Sequence, residues 1–179
     1  MKKRTTMLAL LLATGAGTCL QAQEKLTQFK VRDAITVRTP IMNDSINPKG
    51  EKYADKDLLK TPVVLDLADA PFQVLSTDTA GVLSFPKAEK DHSIYLLETS
   101  LRAERFMTGK LKVTSPARWE IFINGESKMS KENAEDSISG ASTREVNLRL
   151  EPEADYEITI KLLSGSKDKA VPTLKCELI

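Results

Sequence analysis

The sequence predicts an all-β protein, an antiparallel β-sandwich of about eight to ten strands behind a signal peptide. Three observations carry this reading. Apolar residues alternate with polar or charged ones along most of the second half, as in Trp119, Ile121 and Ile123 against Glu120 and Asn124. Turn-forming residues interrupt these runs at the spacing of a sandwich. Each run leaves one polar face, which antiparallel sheets tolerate and parallel sheets buried on both faces do not.

The chain of 179 residues opens with Lys2, Lys3 and Arg4, an apolar stretch at 7–13 and small or polar residues up to Leu20, Gln21 and Ala22. That is the layout of a secretory signal at 1–22, and the apolar stretch is too short to span a bilayer. Cys19 offers a lipid-anchored alternative, but Ala16, Gly17 and Thr18 fit a lipoprotein signal poorly. An exported protein of the periplasm or cell surface, with no transmembrane span, is expected. Residues 23–179 are a single-domain length that buries about 70% of its unfolded surface. Because three of the 26 basic residues lie in the leader and no acid does, the exported part carries a formal −2. A charge so near balance gives no footprint for nucleic acid.

Residues 23–60 read as a mostly irregular leader with one short strand around Ile35 and Val37, stopped by Pro40. Residues 55–60 suggest a single helical turn with Asp55 as its cap, ended by Thr61 and Pro62 before it can pack. The sandwich is placed at 61–179. Val63, Leu65 and Leu67 begin it as a strand, and two short strands, 72–75 and 82–85, flank the turn residues Asp78, Thr79, Ala80 and Gly81. Tyr95, Leu97, Thr99, Leu101 and Ala103 then form the inner face of a long strand. Leu111 with Val113, Trp119 with Ile121 and Ile123, Val146 with Leu148 and Leu150, Tyr156 with Ile158, Ile160 and Leu162, and Leu174 with Cys176 and Leu178 continue the scheme. Ser115 and Pro116 bend the chain between two of these, and Asn124-Gly125 suits a hairpin tip. The polar stretch 126–143 reads as a solvated loop.

From Leu111 to Gly125 the chain runs as a strand, a Ser-Pro bend and then Trp-Glu-Ile-Phe-Ile-Asn-Gly. This resembles the jelly-roll or galactose-binding-like modules of secreted bacterial hydrolases, with Phe122, Ile123, Asn124 and Gly125 matching and Glu126 replacing the usual basic residue. The resemblance implies a jelly-roll or galactose-binding-like sandwich with an accessory role, often ahead of a catalytic domain. Leu178 and Ile179 lie inside an alternating pattern, so the expectation is that further chain, such as a downstream catalytic domain, follows in the native product.

The residues argue against chemistry in the chain itself. His92, the only histidine, is flanked by Asp91 and Ser93, but adjacent residues in a strand point to opposite faces, so sequence proximity does not make both line His92, and no Gly-x-Ser-x-Gly occurs. Glu98, Glu104 and Glu120 read as solvated face residues and His92 as a solvated loop residue. One cysteine after the leader, Cys176, excludes an internal disulfide and a multi-cysteine zinc site. Asn43, Asp44, Asp66, Asp69 and Asp78 offer calcium-type oxygens without a spaced motif, so no metal and no cofactor is expected. Aromatic content of 5% is low for a broad carbohydrate-stacking platform. Trp119 is placed in the core, and Phe122, Asn124 and Glu126 are the ligand candidates. The expected partner is a downstream catalytic domain, or a glycan or protein bound by a stand-alone module.

Overall fold

The computed structural model describes residues 24–37, 46, 49–51, 53–61 and 71–179. The expected signal peptide at 1–22 and the strand around Val63, Leu65 and Leu67 lie outside these residues, as do Asn43, Asp44, Asp66 and Asp69. The described residues form two antiparallel sheets packed as a β-sandwich. In chain order the elements are β1 (Glu24–Lys25), β2 (Gln28–Arg32), β3 (Ile35–Val37), α1 (Asp55–Leu59), β4 (Phe72–Ser76), β5 (Val82–Ser84), β6 (His92–Arg102), β7 (Met107–Thr114), β8 (Arg118–Ile123), β9 (Glu126–Lys131), β10 (Thr143–Leu150), β11 (Asp155–Gly165) and β12 (Thr173–Leu178). The five-stranded sheet runs β1-β12-β7-β10, with β5 also on β12. The seven-stranded sheet runs β4-β2-β6-β11-β8-β9, with β3 also on β6.

The expected alternation sets the core. Tyr95, Leu97, Leu111, Val113, Trp119, Ile121, Ile160, Leu162, Leu174 and Cys176 are buried between the sheets. Fully burying one such aliphatic or aromatic side chain is worth about 1.5–3 kcal/mol before chain entropy is subtracted. Cys176 is an inert core residue, and burial pushes its thiol well above the usual range.

Four features depart from the expected pattern. The described residues hold twelve strands against the eight to ten expected of the chain, because β1, β2 and β9 join the sheets. The segments 72–76 and 82–84 are strands around a turn, as expected, but they do not pair with each other: β4 pairs with β2 in one sheet and β5 with β12 in the other. Asp78 makes this crossover tight, its Oδ1 accepting from the Ala80 and Val82 N–H groups at 2.9 and 2.8 Å, with Gly81 at φ 84°.

The stretch 126–143 is likewise not all loop. Asn124 and Gly125, at φ 50° and 76°, make the two-residue turn that folds β9 back onto β8. Polarity concealed this strand: Lys131 is only 4% exposed, yet its ammonium is satisfied by the carbonyls of Ser115 and Ala117, at 2.8 and 3.0 Å, and by Glu135.

The fourth departure is α1. It packs after all, burying Leu58 and Leu59 against Ile94, Leu96 and Leu163 on the outer face of the seven-stranded sheet, with Ile35, Val37 and Tyr53 around them. Ala54, in extended conformation, is its N-cap, and the Asp57 carboxylate accepts from the Ala54 N–H at 2.8 Å. Asp55 is thereby free of the capping role. Part of an outer face read as wet is therefore a second, smaller core, since a single turn suffices when the sheet beneath it supplies the apolar partners.

The same cover buries charges. Lys161 is 3% exposed and donates to the Thr61 carbonyl at 2.5 Å; its register partner Glu120 is 7% exposed and accepts from Ser127 at 2.7 Å and Lys60 at 3.4 Å. Burial lowers the pKa of Lys161 and of Lys131 from the ordinary 10.5. Between those lowered folded values and 10.5 the unfolded chain binds more protons than the folded one, so the cost of burying both lysines is relieved, and stability increases, as pH rises through that window. Cys176 opposes them, because its thiol ionises more readily when unfolded. The contribution of Lys161 is isolated by comparing pH–stability curves of the wild type and Lys161→Met. The wild type is expected to gain on the variant as pH climbs toward 10.5, and parallel curves would refute the assignment.

Candidate functional site

A groove of about 1100 Å³ crosses the outer face of the seven-stranded sheet, at the end not covered by α1. Its origin is a change of sheet within one strand-like segment. The chain leaves β1 and enters β2 within two residues, with the Leu26 N–H donating to the Cys176 carbonyl of the opposite sheet at 3.2 Å. As a result β2 meets β6 only at Lys30↔Glu98 and Val31↔Leu97. Residues 99–102 of β6 have no ladder partner on the β2 side among the described residues, and the groove dips into that gap.

The polar lining comes from side chains on consecutive strands. Gln28 and Lys30 come from β2, Glu98 and Ser100 from β6, and Asp155 and Glu157 from β11, with Asn124 and Gly125 at one end and Val74 of β4 at the other. Lys30 and Glu98 form a 2.8 Å ion pair across the β2–β6 seam, and the hydrogen bond to Glu98 raises the lysine pKa. The Lys30 ammonium also lies 5.5 Å from the centre of the Phe72 ring, which is 44% exposed just beyond Val74. Asp155 faces Arg102 at 3.4 Å. The groove is thus a set of hydrogen-bonding groups on a rigid sheet with apolar surface at one rim.

The sequence candidates separate here. Asn124 lines the groove and is fixed there: its N–H donates to the Glu157 carbonyl and its Oδ1 accepts from the Glu157 N–H, both at 2.8 Å. Phe122 is half-buried on the same outer face, opposite Thr159 and outside the groove lining. Glu126 is exposed and pairs with Lys128 at 2.6 Å, also outside the lining. The residues that sequence reasoning missed are Lys30, Ser100, Asp155 and Glu157. Lys30 lies in a stretch read as irregular leader and the other three at ordinary polar positions of alternating strands, and only strand order brings them side by side.

His92 is not a solvated loop residue but the first residue of β6, with a side chain 15% exposed. Its Nε2 lies 3.1 Å from Asp55 Oδ1, while Nδ1 is buried without a hydrogen-bond partner. Arg118 donates to Asp55 at 2.8 Å and to both oxygens of Asp168 at 2.9 Å, and the Gly165 N–H donates to Asp168 at 2.7 Å. A Cβ at Gly165 would come within 3.1 Å of the His92 ring, so glycine makes room for it. This network fastens α1 to the sheet. No serine, threonine or cysteine hydrogen-bonds to His92 among the described residues.

Of the acids read as solvated, Glu104 is exposed, Glu98 is held by Lys30, and Glu120 is buried with Lys60, just after α1, and Ser127 of the neighbouring β9 as partners. No group of three or more His, Cys, Asp or Glu that could hold a metal ion occurs among the described residues. No helix among them is long and apolar enough to cross a membrane.

No family model matches the chain, and no curated protein matches it. Solved structures do. A β-glucosidase from Kluyveromyces marxianus in complex with glucose superimposes with a TM-score of 0.46 and 12% identity over 86% of this chain, which spans 15% of that enzyme. A PA14 sugar-binding domain from an RTX adhesin gives a TM-score of 0.44 and 10% identity, covering 86% of this chain and 88% of the domain. A family 35 carbohydrate binding module from Clostridium thermocellum gives 0.42 and 9%, covering 88% of this chain and 98% of the module.

Proposed function

We propose that this chain is a non-catalytic, carbohydrate-binding β-sandwich module of an exported protein, serving as the accessory amino-terminal part of a secreted hydrolase, and that the outer-face groove is its ligand site. The observation that carries the reading is the groove itself. Gln28, Lys30, Glu98, Ser100 and Glu157 offer donors and acceptors beside the apolar Val74. Sugar rings demand this mixture, many directional hydrogen bonds with some apolar contact, and a site held by strands is already organised for it. Asn124 lies at one end of the groove, fixed by Glu157, and Phe122 extends the outer face beyond it. The His92 network, in which Asp55, Arg118 and Asp168 are engaged in fastening α1, supports a role without catalysis.

The test is calorimetric titration of the full chain with a panel of soluble oligosaccharides, alongside Ser100→Trp. Ser100 is exposed in the middle of the groove, so the larger side chain fills the site without entering the core. Binding by the wild type and its loss in Ser100→Trp, with an unchanged unfolding midpoint, is the expected result. No binding to any sugar, or binding unaffected by Ser100→Trp, would overturn the proposal.

A further inference from the structure

From the way the groove crosses the strands we infer that its ligand is a linear, uncharged oligosaccharide held along its length, and not a single sugar or a chain end. This rests on the proposed function and adds the class of ligand. The lining residues lie on β4, β2, β6 and β11 and on the turn after β8, five neighbours in one sheet. Strands in a sheet are spaced by about 4.8 Å, so the four steps from Val74 to Asn124 span about 19 Å. A monosaccharide occupies only a fraction of that distance. A chain of several rings fills it, each ring over a different strand.

Both ends are exposed. Val74, at 61% exposure, lies at one end, and Gly125 on an exposed hairpin tip at the other. A pocket for a chain terminus needs a closed end, whereas this groove lets a longer glycan run on in either direction. Phe72 lies two residues along β4 from Val74, with its ring 44% exposed, and extends the apolar rim beyond the groove.

Charge selects the ligand further. The lining holds three carboxylates, Glu98, Asp155 and Glu157, against the single ammonium of Lys30, which Glu98 already engages. A glycan bearing uronate or sulfate groups would bring like charge against Glu157 and against Asp155, whose partner Arg102 lies outside the lining, a juxtaposition that disfavours binding. An uncharged chain meets the same groups as hydrogen-bond acceptors.

The experiment titrates the full chain with β-1,4-linked glucose, xylose and mannose series, each from the monosaccharide to the hexasaccharide, and with oligogalacturonate as the anionic probe. For one neutral series the affinity is expected to rise roughly tenfold or more from disaccharide to tetrasaccharide as further rings are engaged, and then to level off. Oligogalacturonate is expected to bind more weakly than a neutral chain of equal length. A monosaccharide that binds as tightly as its oligomers, or a preference for the anionic chain, would overturn this inference while leaving carbohydrate binding intact. Failure of every sugar to bind would instead remove the underlying function and the inference with it.

Discussion

Arg118→Ala is expected to cost about 3–5 kcal/mol of folding stability, the range for removing one partner of a buried ion pair. The Arg118 side chain is 12% exposed and that of Asp168 11%, so the substitution leaves Asp168 buried, with the Gly165 N–H as its remaining donor. The loss extends beyond the pair, because Arg118 also holds Asp55 at the start of α1. With that tie cut, the helical turn covering Ile94, Leu96 and Leu163 loses its principal polar anchor. Urea denaturation gives the stability change. Hydrogen exchange at Leu58 and Leu59 shows whether α1 opens before the sheets. A loss below about 1 kcal/mol would mean that the network behaves as a solvated surface cluster. Groove affinity, at the other end of the sheet face, should survive in the fraction that remains folded.

Trp119→Ala is expected to destabilise by a similar amount, about 3–5 kcal/mol, through a different mechanism. The ring is fully buried between the sheets, and truncation leaves a cavity that rigid strands on both sides cannot close. Its Nε1 has no hydrogen-bond partner, so Trp119→Phe removes an unsatisfied donor while keeping most of the packing and should cost far less than the alanine variant. As the only tryptophan, Trp119 reports its own unfolding by fluorescence in the wild type, and circular dichroism serves for the variants. Were Trp119→Ala to abolish sugar binding at unchanged stability, the residue would have to be reassigned from core to ligand site.

The period-two alternation by itself determined the sandwich, the inner faces of β6, β8, β10, β11 and β12, and the burial of Trp119 and Cys176. Side chains two residues apart in a strand share a face whatever the strand pairs with, so a sequence pattern can report the face. Asn124-Gly125 was legible for a similar local reason: its positive φ angles are a property of two adjacent residues. The single turn at α1 was legible as a helix but not as a packing element, because its partners Ile94, Leu96 and Leu163 lie on strands far away in the chain.

The groove was decided only by tertiary structure. Lys30, Ser100, Glu157 and Asn124 each sit at a plain polar position, and no local pattern says that β2 lies beside β6 and β6 beside β11. The gap that deepens the groove arises because β1 and β2 belong to different sheets, a long-range pairing choice. The same holds for the buried lysines. Lys131 and Lys161 look like solvated residues until the carbonyls of Ser115, Ala117 and Thr61, with the nearby Glu135 carboxylate, close over them. Alternation fixes which face a side chain takes, but the neighbours on that face are set by strand order, which depends on contacts between residues remote in sequence.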